Sequence, residues 1–302
     1  MLNRVFLDMD PGIDDAAAIM MISTYREWKI EGISALSGNV GVEKTTENAL
    51  KIVDAIGLNA EVFKGASRPL VRKAHAAYKI HGYDGLGDST IKYYSHKLSE
   101  EYGPLAMINA AKRNSDMWIL ATGPLTDIAI AIILEPNFPK IIKGLVIMGG
   151  AYHLNTYGVG NITENSEFNI WADPEAANIV LRSFEGATLV GLDITANPSV
   201  WINRDEIFKL KKTTRSIILH DITRKYINAY GAFIPHDPVA AYYLVEPGNF
   251  KTKKYCVKIN RGRMRGMTSI FSLSDNCKAA NIVTDIDAKS FKSAFFNAME
   301  TE

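Results

Sequence analysis

Four aspartates, Asp8, Asp10, Asp14 and Asp15, lie within eight residues near the start of the sequence. Carboxylates at this density repel one another unless a cation lies among them, and carboxylate oxygens are preferred ligands of hard divalent cations. An aspartate before a helix often serves only as an N-cap, but capping accounts for at most two of the four. The cluster therefore predicts a functional site that binds a divalent cation.

The residues on either side of these aspartates predict how they are positioned. An apolar segment, residues 5–7, precedes them, a helical apolar run, residues 16–22, follows, and a Pro-Gly pair lies between. This pattern indicates a strand, a tight turn and a helix. Side chains alternate along a strand, so Asp8 and Asp10 are expected on one side of it. The other two aspartates would lie in the first helical turn, where the helix dipole favours anions.

Beyond this motif, apolar strands alternate with helical patterns over about the first 190 residues. Strands are predicted at 29–36, 62–63, 117–121, 144–148 and 188–192, and helices at 43–56, 105–112, 127–134 and from 173 onward. Residues 66–89, rich in glycine, are predicted to form a functional loop. The pattern is then helical over 204–243, with short strands at 255–257 and 282–283 and a last helix at 288–298. The prediction is one α/β domain, residues 1–302, with a mostly parallel central sheet flanked by helices and a helical C-terminal portion.

Charge and cysteine content restrict the partners. The 302 residues include 34 basic and 33 acidic side chains, a net charge of +1, which gives no electrostatic basis for binding nucleic acid or a membrane. The two cysteines show no metal-binding spacing and do not suggest a disulfide framework. The chain is expected to enter a strand by residue 4 or 5, without room for a signal peptide. We therefore expect a cytoplasmic protein.

Two further stretches carry polar groups suited to a small ligand. The segment 161–169 combines amides, a carboxylate and an aromatic ring, a set that suits a polyol because each polar group can bond a hydroxyl. His236 and Asp237 begin a predicted helix, although such a pair alone is weak evidence of function. Ligands of parallel α/β sheets bind at the carboxyl ends of the strands, where the first motif and several other polar positions are expected.

Together these motifs resemble the inosine–uridine-preferring nucleoside hydrolase family. The stretches that carry the resemblance, in chain order, are residues 8–15 (DMDPGIDD), 38–40 (GNV), 81–82 (HG), 122–126 (TGPLT), 148–150 (MGG), 167–169 (EFN) and 236–238 (HDP). They extend from residue 8 to about residue 240, and their combination is very specific. The resemblance implies a nucleoside-hydrolase-like fold with a Rossmann-like core.

The resemblance also implies an activity and a cofactor. Family members hydrolyse the N-glycosidic bond of ribonucleosides to ribose and free base with a bound Ca²⁺. Carried onto this sequence, the ion would be held by Asp10, Asp15, Asp237 and the backbone carbonyl of Thr126. Asp10 would also act as the general base on a water molecule.

Substrate-binding roles follow from the same resemblance. Ribose would be bound by Asp14, Asn39, Asn161, Glu167 and Asn169, with Met148 packing nearby. His236 would protonate the leaving base, and His81 and Phe168 would line the base pocket. Tyr226 and Tyr230, one helical turn apart, either contact the base or only pack. The histidine subgroup suggests pyrimidine-preferring or broad use of uridine, cytidine and inosine, and family members are commonly homodimers or homotetramers.

Two other readings of the sequence stay open. A haloacid-dehalogenase-like phosphatase also carries Asp-x-Asp after its first strand, and would use Asp8 as a nucleophile with Mg²⁺. That reading leaves Asp14, Asp15 and the later motifs without a role. A non-catalytic nucleoside-binding protein on the same fold would require a lost base or metal ligand, yet each expected residue is present.

Overall fold

A computed structural model describes residues 2–92, 95–274 and 276–302. In this part of the chain, ten strands form one sheet in the order β11-β10-β12-β7-β6-β5-β1-β2-β3-β4. Its strands are β1 (Asn3–Met9), β2 (Trp28–Ala35), β3 (Val62–Lys64), β4 (Leu98–Tyr102), β5 (Met117–Ala121), β6 (Gly144–Met148), β7 (Thr188–Val190), β10 (Phe250–Ile259), β11 (Thr268–Phe271) and β12 (Ala279–Ile286). The short strands β8 (Ile202–Asn203) and β9 (Ala232–Phe233) form a separate antiparallel pair.

Helices cover both faces of the sheet. Those described are α1 (Ile13–Ile22), α2 (Val42–Ala55), α3 (Tyr78–His81), α4 (Gly103–Arg113), α5 (Thr126–Leu134), α6 (Phe138–Ile141), α7 (Phe168–Ala172), α8 (Pro174–Ser183), α9 (Leu192–Thr195), α10 (Arg204–Phe208), α11 (Thr214–Tyr230), α12 (His236–Val245) and α13 (Ala288–Met299). Alternation along β1 divides the interior into two cores, because Val5, Leu7 and Met9 pack in one and Phe6 packs in the other. Burial of the strands on both faces explains their nearly continuous apolar sequences.

The predicted α/β fold is confirmed, and the sheet is parallel from β12 through β4. The C-terminal part contains more strand than the sequence predicted. There β10 pairs antiparallel with both β11 and β12, and β10 is ten residues long where only three were predicted. The edge strands β4 and β11 were missed because their many exposed side chains weaken the apolar pattern that identifies a strand.

The two cysteines form a disulfide, although their positions in the sequence did not suggest a disulfide framework. Cys256 on β10 and Cys277 just before β12 form a disulfide with a Cα–Cα distance of 5.8 Å. They are 21 residues apart in sequence. β10 pairs antiparallel with both β11 and β12, and this pairing brings the two cysteines together. The spacing of the cysteines in the sequence does not predict this pairing of the strands.

None of the described helices is both long enough and apolar enough to cross a lipid bilayer.

Candidate active site

The order of the strands brings the predicted polar residues to one edge of the sheet. β1 lies between β2 and β5, and the chain reverses its direction of progress across the sheet at this point. Asp10 follows β1, Asn39 follows β2 and Thr122 follows β5, so all three lie at neighbouring carboxyl ends. Such a switch point is the usual ligand site of an open parallel sheet. α12 packs against α1 and adds His236 and Asp237 from the C-terminal half.

A tight turn between β1 and α1 is possible only because residue 12 is glycine. A Cβ atom on Gly12 would lie 2.5 Å from His81 Nδ1 and 2.7 Å from Asn39 Nδ2. Helix α1 then begins with Asp15 Oδ2 accepting a hydrogen bond from the Gly12 amide at 2.9 Å. The turn therefore fixes α1 and leaves space for two predicted site residues.

Three carboxylates form the centre of the site. Asp14, Asp15 and Asp237 each place an oxygen within 4.8 Å of the others, a spacing that could hold a metal ion. Asp10 lies beside them, and its Oδ2 accepts a 2.7 Å hydrogen bond from the Asn39 amide. Within the described residues, Asp10 Oδ1 and Asp14 Oδ1 are buried without a hydrogen-bond partner. Buried, unpartnered carboxylate oxygens are costly unless a cation or a ligand satisfies them.

The four carboxyl groups disfavour one another's charge. Burial and the charge of Asp15 raise the pKa of Asp10 well above its usual value. Burial and Asp15 raise the pKa of Asp14 to about 7. Burial, with Asp14, Asp15 and Asp10 as neighbours, raises the pKa of Asp237 well above its usual value. A bound cation would reverse these effects, because opposite charge favours the ionised form.

The side chain of Thr122 contacts the cluster. Thr122 Oγ1 donates a 2.7 Å hydrogen bond to Asp15 Oδ1, and the residue lines the cavity. After β5 the Gly-Pro turn reverses the chain, so Thr126 begins α5 and donates from Oγ1 to Asp173 Oδ2 at 2.8 Å. These contacts involve the side chains of the two threonines, and the role of the Thr126 backbone carbonyl as a metal ligand stays a prediction.

Asp8 does not join the cluster either. It is fully buried on the face of β1 that carries Phe6, and its carboxyl group lies near that of Asp127. Burial and the charge of Asp127 raise the pKa of Asp8 well above its usual value. The expectation that Asp8 and Asp10 share one side was wrong because β1 ends at Met9, before Asp10. A fully buried Asp8 is also poorly placed to act as the nucleophile of a phosphatase.

The segment around α7 holds the predicted ribose-binding groups. Glu167 caps α7: Oε1 accepts from the Asn169 amide at 2.8 Å, and Oε2 accepts from the amides of Ile170 and Gly150 at 3.0 and 3.2 Å. Asn169 donates from Nδ2 to the Thr122 carbonyl at 2.6 Å, which fixes its amide at the cavity wall. These bonds position the two side chains before any ligand arrives.

The remaining predicted residues of this segment also reach the cavity. Asn161 Oδ1 accepts from the Phe168 amide at 2.9 Å, so its NH₂ group is free to donate to a ligand. Met148, at the end of β6, places its sulfur 3.8 Å from Asn169 Nδ2. All three line the same cavity as Glu167 and Asn169.

Above the carboxylates lies a cavity of about 740 Å³, within the usual range for small-molecule sites. Its walls include every predicted ribose and base residue, namely Asp14, Asn39, His81, Met148, Asn161, Glu167, Phe168, Asn169 and His236. Tyr226 and Tyr230 of α11 line it too, with ring centroids 4.9 Å apart. Both tyrosines reach the cavity, so contact of either with the base stays a prediction beside their packing role. Their spacing by one helical turn was the only sign in the sequence.

Two histidines are buried in this cavity. His236 Nδ1 lies 2.8 Å from Thr195 Oγ1, and burial lowers the His236 pKa to about 4. His81 Nδ1 lies 3.2 Å from the Ile13 amide nitrogen, and burial together with His236 lowers the His81 pKa to about 3. Both rings are therefore neutral at neutral pH and can donate a hydrogen bond without carrying a charge.

The family model described as inosine-uridine preferring nucleoside hydrolase matches residues 5–293. The chain belongs to this family. The resemblance inferred from the sequence motifs is thereby confirmed, and the chain is an enzyme of the nucleoside hydrolase type.

Curated relatives of this nucleoside hydrolase span nearly its full length. It is 32% identical to an inosine-uridine preferring nucleoside hydrolase of Leishmania major, covering 99% of this chain and 98% of the relative. It is 35% identical to a non-specific ribonucleoside hydrolase of Escherichia fergusonii, covering 95% of each. A pyrimidine-specific ribonucleoside hydrolase of Escherichia coli is 32% identical, covering 92% of this chain and 90% of the relative.

Solved structures of nucleoside hydrolases show the same fold. A plant nucleoside hydrolase matches with a TM-score of 0.93 at 26% identity, covering 100% of both chains. A purine-preferring ribonucleoside hydrolase of Gardnerella vaginalis matches with a TM-score of 0.90 at 30% identity, covering 98% of both.

Proposed function

We propose that this nucleoside hydrolase cleaves the N-glycosidic bond of ribonucleosides, giving ribose and free base, with Ca²⁺ at the carboxylate cluster. The observation that carries this proposal is the position of the cluster. Asp14, Asp15 and Asp237 lie at the floor of a cavity whose walls bear amides for a sugar and histidines for a base. The buried oxygens without partners, Asp10 Oδ1 and Asp14 Oδ1, are the atoms that such an ion and substrate would satisfy.

The donor set suits a hard cation. It consists of oxygens only, and Ca²⁺ prefers six to eight oxygen ligands. The residues proposed to hold the ion are Asp10, Asp15 and Asp237 together with the backbone carbonyl of Thr126. A bound Ca²⁺ would offset the repulsion of the carboxylates and lower the pKa of a nearby water molecule.

Asp10 is proposed as the general base. Its Oδ2 is held by the Asn39 amide, which leaves Oδ1 free to accept a proton from a water molecule that attacks the sugar. Cleavage of a glycosidic bond builds positive charge on the sugar ring. Carboxylate and amide oxygens around the ribose, including Glu167 and Asn169, stabilise that charge where it develops.

His236 is proposed to assist the departure of the base. Departure places negative charge on the base, which favours proton transfer from a neighbouring imidazole. His236 lines the cavity, and its Nδ1 lies 2.8 Å from the Thr195 hydroxyl, which leaves Nε2 for the base. A hydroxyl can both donate and accept, so it tolerates the change of protonation that proton donation requires.

Base preference is proposed to be broad or directed to pyrimidines, with uridine, cytidine and inosine as substrates. The sequence identity to this chain is similar for three relatives with different names: 35% for the non-specific hydrolase, 32% for the pyrimidine-specific one and 30% for the purine-preferring one. Overall identity therefore does not select a base. The cavity wall from α11, with Tyr226 and Tyr230, is the region expected to set the preference.

Two further predictions belong to this proposal. A homodimer or homotetramer is predicted by analogy with the family, and sedimentation velocity measures the assembly directly. A cytoplasmic location is also predicted, and fractionation of cells that produce the full chain tests it. The disulfide is unusual for a reducing compartment, so the redox state of Cys256 and Cys277 should be measured in the same fractions.

The deciding experiment measures reducing-sugar release from uridine, cytidine, inosine, adenosine and guanosine, with and without a Ca²⁺ chelator. Asp10→Asn is the test variant, and exposed Asp205→Asn is the matched control. We expect the wild type to release ribose and the chelator to abolish this release. Asp10→Asn should lower the rate of ribose release about 10²- to 10⁴-fold, and the control variant should keep the wild-type rate. Phosphate release from a generic phosphatase substrate without ribose release would overturn the proposal.

A further inference from the structure

The turn between β10 and β11 lies against the start of α7. Ser166 Oγ donates a 2.7 Å hydrogen bond to the Arg265 carbonyl, and Ser166 also pairs with Met267 in an isolated antiparallel bridge. Ser166 immediately precedes Glu167, which is the N-cap of α7 and a proposed ribose-binding residue. The antiparallel strands at the edge of the sheet therefore reach back to the wall of the cavity.

Arg265 also holds the other end of α7. Its Nε donates to the Trp171 carbonyl at 2.7 Å, and its Nη2 donates to the Ala172 carbonyl at 2.9 Å. The Ala176 amide, which would reach Ala172 in a continuous helix, donates to Asp173 Oδ1 at 3.0 Å instead. Carbonyls at a helix end need such outside donors, and a charged guanidinium bonds them more strongly than a neutral group. One side chain therefore completes the helix that carries the ribose-binding groups.

The Trp171 ring adds a packing contact to these hydrogen bonds. The guanidinium carbon of Arg265 lies 3.8 Å from the centroid of the Trp171 ring, a cation–π contact. Gly266 permits this close approach, because a Cβ atom on it would lie 2.5 Å from Trp171 Cα. The Trp171 and His75 rings meet edge to face with centroids 4.8 Å apart, and His75 lines the cavity. A shift of Trp171 would therefore disturb two parts of the cavity wall.

Thr268, the first residue of β11, holds the loop that follows β6. Its Oγ1 accepts from the Ala151 amide at 3.0 Å and donates to the Ala151 carbonyl at 2.6 Å. Ala151 follows Gly150, whose amide donates to Glu167 Oε2 at 3.2 Å. The helix and the loop that both bond Glu167 are thus tied to the same pair of antiparallel strands.

The length of α7 explains why it needs these contacts. It has five residues, and so short a helix is marginal without outside contacts because few backbone bonds offset the cost of nucleation. We infer that Arg265 is a positioning residue, which holds α7 so that Glu167 and Asn169 meet the ribose. This inference rests on the proposed function, which it deepens. The strands β10 and β11 thereby serve the reaction, although none of their described residues lines the cavity.

Amide exchange tests the positioning without any assay of activity. The full chain loaded with Ca²⁺ is compared with Arg265→Met, which removes the guanidinium, and with Arg263→Met, the same change at an exposed position of the same turn. We expect deuterium uptake over residues 166–172 to be at least about 10-fold faster in Arg265→Met only, with uptake over residues 3–22 unchanged. Unchanged uptake over residues 166–172 overturns the inference. Faster uptake over both segments also overturns it, because the whole fold would then be loosened.

Kinetics show whether Arg265 acts through the ribose-binding groups. A displacement of about 1 Å can cost about 100-fold, so we expect Arg265→Met to lower kcat/KM for uridine about 30- to 100-fold. In a chain that already carries Glu167→Gln, the same substitution should lower kcat/KM only about 3-fold, because the group that it positions is already altered. In a His236→Ala chain it should keep its full effect. An equal loss in both backgrounds would assign Arg265 a general structural role and overturn the inference.

Arg265→Lys is a second variant, which keeps the charge but loses the planar fork that bonds two carbonyls and stacks on an indole. We expect most of the loss of kcat/KM to persist in it, and a wild-type value in either Arg265 variant overturns the inference. If the wild type releases ribose from no substrate, the proposed function fails instead. The exchange measurement still decides in that case whether Arg265 holds α7.

Discussion

Calcium should stabilise this protein far more at pH 8 than at pH 5. Burial and neighbouring carboxylates raise the pKa of Asp14 from 3.8 to about 7, so its charged form is unfavourable without a cation. Since one pKa unit corresponds to about 1.4 kcal/mol, ionising Asp14 in the folded protein costs about 4 kcal/mol more than in the unfolded chain. This carboxyl group therefore stabilises the calcium-free fold at low pH and loses that contribution as pH rises through 7.

At pH 5 a proton occupies Asp14, which lies beside the proposed calcium ligands, and a bound calcium ion favours loss of this proton through its charge. Two pH units below a pKa of about 7, loss of this proton weakens binding about 100-fold, or about 2.7 kcal/mol. With calcium at about 1,000 times its Kd at pH 8, the fold gains about 4 kcal/mol, which is about 8 °C in Tm for a chain of this size. At pH 5 the same concentration should raise Tm by only about 3 °C.

The histidines have the opposite sign but do not disturb this comparison. Burial lowers the pKa of His81 to about 3 and that of His236 to about 4, so both favour the fold increasingly as pH rises from about 4 to 6.5. Their contribution is present with and without calcium. It therefore cancels in the difference between the two Tm values at one pH.

Scanning calorimetry with Ca²⁺ or a chelator at both pH values measures the effect. Asp237→Asn should abolish the calcium response and raise the calcium-free Tm at pH 8, because it removes a ligand and one of the repelling charges. Asp205→Asn makes the same chemical change at an exposed position and should preserve the wild-type response. An equal calcium shift at pH 5 and pH 8 would refute the role of the buried carboxylates in binding the ion.

Three other perturbations test separate parts of the site and fold. Gly12→Ala places a methyl group against His81 and should lower stability by about 1–3 kcal/mol and also lower activity. In the control Gly41→Ala, the added methyl group would lie 3.8 Å from its nearest neighbour, so stability and activity should stay unchanged. Thermal melts and kcat/KM measure the two effects. His236→Ala should lower kcat on nucleosides about 10²- to 10⁴-fold but spare p-nitrophenyl riboside, and equal losses on both would remove His236 from the acid role. Cys277→Ser opens a 21-residue loop and should lower Tm by about 6 °C with kcat unchanged; an unchanged Tm would contradict a stabilising disulfide.

Most of the central sheet and the covering helices were predictable because their signals are local. The apolar runs of β1, β5 and β6 and the helical pattern of α2 are readable in windows of five to fourteen residues. The predicted α2, residues 43–56, differs from the observed Val42–Ala55 by one residue at each end. Strands at the sheet edge, such as β4, escaped because half of their side chains meet solvent.

Within the site, the sequence alone determined which residue types were available and at which strand ends they lay. Aspartates after β1, an asparagine after β2 and a threonine after β5 converge because parallel strands share one carboxyl edge. Tertiary structure alone decided which atoms face the cavity. After β5, the Thr122 hydroxyl bonds Asp15 whereas the Thr126 hydroxyl bonds Asp173, and the end of β1 at Met9 separates Asp8 from Asp10.

Tertiary structure also decided the protonation chemistry. The Ile13 amide that donates to His81 Nδ1 comes from a residue 68 positions earlier, and the disulfide joins residues brought together by antiparallel pairing. Such pairings depend on how distant segments pack, while residue type and spacing record only what each segment prefers by itself. The motif thus determined the class of chemistry, and packing decided which side chains line the cavity.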